Sequence, residues 1–290
     1  MHFVKAKRIL STKNGMNIYR GCTHGCIYCD SRSECYRMNH AFDDIEVKEN
    51  AIELLENALC RKRIKCMIGT GSMSDPYMPL EQRLGMTRKA LETAYRYGYG
   101  FTLITKSPSV LRDLDLLQAI NKKAKCVVQM TLTAYDNALC KIIEPNVAPA
   151  SERFAALKTL NTAGIPTVVW LSPILPFITD TKENIEGILN YCIEARIRGI
   201  ICFGMGLTLR KGNREYFYEK LDAHFPGVKE KYIKHFGTNY ILISPHNAGL
   251  MSVFRSICEN RGIEHDTRKI FKYLNTLETV QKPSQLELFR

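Results

Sequence analysis

Six short apolar runs, each followed by a stretch whose apolar residues recur at helical spacing, most constrain how this 290-residue chain can fold. The runs are Met16–Tyr19, Lys65–Gly69, Phe101–Thr105, Cys126–Thr133, Thr167–Ser172 and Gly199–Phe203. Near-continuous apolar strands alternating with amphipathic helices are buried on both faces, the pattern of a parallel α/β sheet. Helices are expected near Lys48–Arg61, where Ile52, Leu55 and Leu59 share a face, and near Met86–Tyr97, Ser109–Asn121, Ser151–Ala163 and Lys182–Ala195. Six units fall short of the eight of a closed barrel. Residues 1–206 are therefore expected to form a partial (β/α)6 TIM-like barrel, with its site at the carboxyl ends of the strands. Beyond 206 the alternation fades into helices near Glu215–His224, Gly227–His235 and Gly249–Asn260, so 207–275 reads as a C-terminal helical extension. Residues 276–290 read as a poorly ordered tail.

Composition excludes several classes. With 45% hydrophobic and 24% charged residues, the chain has the make-up of an ordinary globular protein. Its longest apolar stretch, Val168 to Ile178, is broken by Pro173 and Pro176 and is too short to span a bilayer. The eleven cysteines are an odd number in a long chain, and the basic start lacks the apolar core of a secretory signal; both point to a reducing cytoplasm rather than a disulfide scaffold. The net charge of +12 suits a polyanionic partner, bound through phosphate contacts.

Three of the cysteines, Cys22, Cys26 and Cys29, lie in one loop over residues 21–30 at C-x3-C-x2-C spacing. Three thiolates so placed can hold three corners of a cubane iron–sulfur cluster and leave one iron open to an outside ligand. Zinc is the alternative; it would need a fourth ligand, for which His24 or Cys35 is available.

The string Tyr19-Arg20-Gly21-Cys22 through Tyr28-Cys29 resembles the radical S-adenosylmethionine (radical SAM) superfamily. Ser74-Asp75-Pro76-Tyr77, Thr105-Lys106-Ser107, Glu144-Pro145 with Pro149 and Arg153, and Ala163-Gly164-Ile165-Pro166 resemble its branch related to spore photoproduct lyase. The likeness covers most of residues 5–260. It implies a 4Fe–4S cluster on Cys22, Cys26 and Cys29, with S-adenosylmethionine chelating the open iron. Tyr28 would then lie near the adenine, Ser74 and Asp75 would meet the amino group, Lys106 the carboxylate, and Thr131 the ribose or methionine part. It further implies an external one-electron reductant and reductive cleavage to a 5′-deoxyadenosyl radical, which removes a hydrogen from the substrate. Glu144 with Arg153 reads as architectural, a loop carboxylate fixed by an arginine on the next helix.

The chain departs from the lyase at two places. Ser72 stands where the lyase has the cysteine that returns a hydrogen atom, and Asp30 where it has a tyrosine after the third cluster cysteine. Tyr77 or Cys35 then become candidate catalytic hydrogen donors. The segment Gln285–Phe289 (Gln-Leu-Glu-Leu-Phe) resembles the peptide by which bacterial DNA-processing enzymes dock on the sliding clamp. The leading expectation is a cytoplasmic radical SAM enzyme acting on nucleic acid, as in DNA repair. The alternatives are the same chemistry on RNA, a peptide or a small metabolite, and a nucleic-acid-binding protein with a structural or redox-sensing cluster.

Overall fold

The computed structural model describes residues 1–277; the clamp-like segment Gln285–Phe289 lies outside them. Six parallel strands form the main sheet in chain order: β1 (Gly15–Met16), β2 (Met67–Thr70), β3 (Gly100–Thr105), β4 (Cys126–Thr131), β5 (Thr167–Trp170) and β6 (Gly199–Ile201). Among the described residues β1 and β6 do not pair, so the barrel is open. The central strands carry the longest registers, with Phe101 opposite Cys126 through Thr105 opposite Met130. All six residues of β4 are buried, as a strand covered on both faces requires.

The covering helices are α1 (Ala51–Arg61), α2 (Met86–Tyr97), α3 (Leu114–Lys123), α4 (Ala150–Thr162) and α5 (Lys182–Glu194). Local chemistry sets their ends. Helix α2 runs between Gly85 and Gly98, both in the left-handed region, and the Gly98 N–H closes its last turn on Ala94 and Tyr95. Thr181 caps α5 by accepting from Asn184 N–H at 3.2 Å.

The expected strand over 16–19 divides. Met16 stays in the barrel, while Tyr19–Arg20 turns away and pairs antiparallel with Glu46–Lys48, which pairs in parallel with His2–Val4. Helix α1 accordingly begins at Ala51, later than its apolar periodicity suggested. Asn50 exchanges two hydrogen bonds with the Ala6 backbone, at 2.9 Å each, in place of a helical turn.

The region after β6 has two destinations. Helix α6 (Asn247–Arg261) packs on α5 and sends Leu250, Phe254 and Cys258 into the barrel core, the place of a sixth barrel helix. Between β6 and α6, a two-stranded ribbon (Gly206–Thr208 with Ile241–Ile243) and two helices (Asn213–His224 and Val228–Phe236) form a second apolar cluster. That cluster includes Cys26, Ile27 and Tyr28, so the insertion is packed onto the cysteine loop. No helix of the described residues is long and apolar enough to cross a membrane.

Candidate active site at the open end of the barrel

The cysteine loop leaves the small sheet at Gly21, whose backbone has φ +89; an added Cβ there would lie 2.4 Å from Phe42 O. The Cys22 N–H donates to that same carbonyl at 3.1 Å. Ser74, past the end of β2, donates its hydroxyl to Gly21 O at 2.6 Å. Gly71, with φ +97, brings the β2 loop so near β3 that a Cβ would meet Ile104 O at 2.0 Å. The loops at the strand ends are thus fixed to one another before any cofactor enters.

Asp75 is the centre of that fixation. Its Oδ1 accepts from Tyr77 N–H at 2.8 Å and the Thr105 hydroxyl at 2.7 Å; its Oδ2 accepts from Lys106 N–H at 2.7 Å. His24 Nε2 of the cysteine loop lies 3.0 Å from Oδ2, an ion-pair contact rather than an aligned hydrogen bond. Burial alone would raise this carboxyl, but His24, the Lys106 N–H and the Thr105 hydroxyl hold it down to about 2. Three hydrogen bonds and the His24 contact make Asp75 a tie between the loop and the barrel, and its carboxylate also borders the cavity that the three cysteines line. With the Ser74 hydroxyl donated to Gly21, the Ser-Asp pair clamps the loop while both residues still border the cysteine cavity.

Cys22, Cys26 and Cys29 border one small cavity together with His24, Ser74, Asp75, Lys106 and Thr131. Burial pushes the Cys22 thiol up to about 12, helped by the negative charge of Asp75, and raises Cys26 well above its ordinary value. Buried thiols so reluctant to ionise on their own suit a metal centre, whose charge deprotonates them. Cys35, a possible fourth ligand or hydrogen donor, is exposed and faces elsewhere, its Sγ 3.2 Å from Arg210 Nη1. His24 borders the same cavity but turns its Nε2 to Asp75, and among the described residues it forms no single-ion group with the three sulfurs, so the lining fits a cubane cluster with an open corner better than a four-ligand zinc site.

Beneath the loop lies a buried polar network. The Tyr28 hydroxyl donates to Glu144, and Glu144 pairs with Arg153. Arg153 also donates to Thr131 O at 2.8 Å and Ala148 O at 2.7 Å. Burial alone would raise the Glu144 carboxyl, but Arg153 and Lys106 hold it down to about 2. Thr131 thus ends β4 with its carbonyl held by Arg153 and its side chain at the cavity. Lys106 ends β3 with Nζ 5.7 Å from the centre of the Tyr28 ring and lines the cavities on both sides of the loop.

A larger cavity of about 550 Å³ opens outward from Cys26, Tyr28, Cys29 and Lys106. Its walls come from strand ends: Ser72 after β2, Trp170 at the end of β5, and Phe203 after β6. Its outer rim is the ribbon, with Phe203, Tyr240, Ile241 and Ile243 all exposed at the mouth. Trp170 is held by its indole N–H, which donates to Gln129 Oε1 at 2.8 Å; Gln129 in turn donates to Thr102 Oγ1 at 2.8 Å. None of these rim aromatics is marked by a sequence motif. Their signal is position alone, at the carboxyl end of a strand or on the inserted ribbon.

Tyr77 corrects an expectation. It is buried behind the clamp, does not border the cavity, and donates its hydroxyl to Asp113 at 3.0 Å under the Arg112 guanidinium. The Pro76 carbonyl beside it accepts from Thr87 in α2 at 2.7 Å, which turns the segment away from the barrel mouth. Cys35 misses the cavity for a different reason. The short helical turn Glu34–Tyr36 carries it to the outer surface beside Arg210.

The family model described as "Radical SAM superfamily" matches residues 16–192, more than half the chain. An uncharacterized protein of Methanocaldococcus jannaschii is 34% identical over 62% of this chain and 67% of its own length. An uncharacterized protein of Mycobacterium tuberculosis is 27% identical over 75% of this chain and 65% of its own length, so the chain spans about two thirds of these relatives. Among solved structures, a variant of spore photoproduct lyase with bound AdoMet and dinucleoside spore photoproduct superposes with a TM-score of 0.62 at 14% identity, covering 85% of this chain and 73% of that one. The radical S-adenosylmethionine methyltransferase TsrM of Kitasatospora setae, with cobalamin and a 4Fe–4S cluster, does so with a TM-score of 0.50 at 14% identity, over 68% and 34%.

Proposed function

Since the chain belongs to the radical SAM superfamily, with a 4Fe–4S cluster and S-adenosylmethionine as cofactors, we propose that it is an enzyme that abstracts a hydrogen atom from nucleic acid. The cofactor pair supplies a 5′-deoxyadenosyl radical by one-electron cleavage of the sulfonium; the protein's part is to hold, orient and shield. Cys22, Cys26 and Cys29 bind the cluster. Lys106, a cation on the cavity floor, receives the carboxylate of the methionine part, while Tyr28 and Thr131 border the nucleoside. Ser74, Asp75 and His24 keep the cysteine loop in register with the strand ends.

The observation that carries the substrate reading is the aromatic and aliphatic mouth formed by Trp170, Phe203, Tyr240, Ile241 and Ile243 at the cavity that opens beside the cysteines. Flat rings at an exposed mouth suit stacking against an unpaired base, and the excess of basic residues suits the backbone. A base attacked here would have to leave its stack. Ser72 at this cavity favours a reaction other than thiol-assisted reversal of a thymine dimer, because a serine O–H is too strong a bond to return hydrogen. The cytoplasm is the compartment that suits such a cluster, and Gln285–Phe289 is retained as a clamp-docking peptide.

The test is anaerobic turnover with S-adenosylmethionine and deuterated single-stranded oligonucleotides, following label into 5′-deoxyadenosine. Deuterium transfer that Phe203→Ala weakens, while uncoupled cofactor cleavage persists, is the expected outcome. Cofactor cleavage with no label from any oligonucleotide would overturn the substrate reading alone. Cleavage that survives replacement of all three loop cysteines by alanine would overturn the active-site assignment.

A further inference from the structure

On the far side of the cysteine loop, the small sheet gathers a second set of metal-ligating side chains. Parallel pairing sets His2 opposite Glu46, and the preceding loop carries His40 and Asp44 to the same edge. One ligand atom each from His2, His40 and Asp44 lies within 4.8 Å of the others. The imidazoles meet edge to face with centroids 4.8 Å apart.

The tautomer of His40 gives this grouping its chemical sense. Its Nδ1 lies 3.0 Å from Ala41 O, and a carbonyl only accepts, so Nδ1 bears the proton and the neutral ring presents a lone pair at Nε2. That Nε2 is buried with no hydrogen-bond partner, and a carboxylate oxygen of Glu46 stands 3.8 Å from it. Two electron-rich atoms facing one another are stabilised by a shared proton or by a cation. An imidazole that donates one nitrogen to a backbone carbonyl and offers the other is the usual posture of a metal-bound histidine. Asp44 takes the Met1 amino group on Oδ1 at 2.9 Å and turns Oδ2 toward His2 Nδ1 at 3.0 Å.

We propose that His2, His40 and Asp44, with Glu46 alongside, form a binding site for a divalent transition ion of the zinc type. Two imidazoles with carboxylates suit that class, and the partly exposed His2 and Asp44 leave one side open for entry and for a water ligand. The site fastens the N-terminal strand to the loop whose Phe42 carbonyl holds the Cys22 N–H, so the ion braces the cysteine loop from outside without touching the cluster.

The probe is Zn²⁺ alone, offered to anaerobically reconstituted, chelator-washed protein with its cluster in place. One equivalent is expected to bind beyond the wash, with an X-ray absorption shell of nitrogen and oxygen at about 2.0 Å. His2→Ala and His40→Ala are each expected to weaken uptake at least about tenfold, with the iron content of His2→Ala unchanged. A sulfur shell at about 2.3 Å would assign the zinc to cysteines and overturn the proposal. Uptake indifferent to His2→Ala would overturn it as well, and because His2 is half exposed that variant decides the question even where His40→Ala does not fold. No zinc uptake at all would likewise overturn the proposal, with a shared proton then joining His40 to Glu46.

Discussion

At the scale of single residues, the site rests on saturating polar groups that burial would otherwise penalise. Glu144 and Arg153 are both fully buried and answer one another, with Tyr28 and the backbone carbonyls of Thr131 and Ala148 completing the set. Removing one partner leaves an unpaired buried charge. Arg153→Ala is therefore expected to lower stability by about 3–5 kcal/mol in chemical denaturation, far more than a surface arginine would. The same pair sets an acid limit. Glu144 is held near 2 in the fold against an ordinary value of 4.5, so its contribution is fully present above about 4.5 and is lost as pH falls toward 2. Denaturation midpoints measured across that window should fall in the wild type and fall less steeply in Glu144→Gln.

At the scale of elements, the late helix α6 behaves as part of the barrel although some forty residues of ribbon and helix separate it from β6. Phe254 is its deepest large side chain, buried in the same core as the α5 residues Ile185, Ile188 and Leu189. Phe254→Ala is expected to cost about 3–5 kcal/mol and to lower the single unfolding midpoint rather than split it. A separate early transition for the C-terminal third would show that α6 does not belong to the barrel core. The inserted ribbon serves a different end. Gly206 lies so close to the partner strand that a Cβ would sit 2.2 Å from Leu242 O, and this tight pairing holds Ile241 and Ile243 at the mouth. Gly206→Val is expected to weaken oligonucleotide binding while leaving the iron content of the reconstituted protein unchanged.

At the scale of the whole molecule, charge and shape act together. An excess of twelve positive charges steers a polyanion without choosing which one, whereas the aromatic mouth provides a local landing place. Oligonucleotide affinity should therefore fall linearly on a log–log plot against salt. Trp170→Ala should lower affinity by about 1–3 kcal/mol at every salt concentration without changing the slope. A slope near zero would mean that the basic surface serves another partner.

The cysteine spacing and the strand–helix alternation were legible in the order of amino acids because each depends on local chemistry or on a short period, whereas Lys106 and Thr131 stood out only through the family resemblance, and the fold places both at the cysteine cavity. Three thiolates in eight residues need no distant partner to state what they can hold, and an apolar run of five or six residues announces a covered strand. Other features depended on the fold. Asp75 read as a ligand for an ammonium, and the fold adds what its motif does not state, that Thr105, Lys106 and His24, remote in sequence, already engage its oxygens. Tyr77 looked available until α2 and Asp113 closed over it. Trp170, Phe203 and Tyr240 carry no motif, and only the convergence of strand ends with an inserted ribbon makes them one surface. A sequence fixes which groups the chain owns and their local habits; burial and mutual satisfaction are long-range properties, and they decide which of those groups are left free to act.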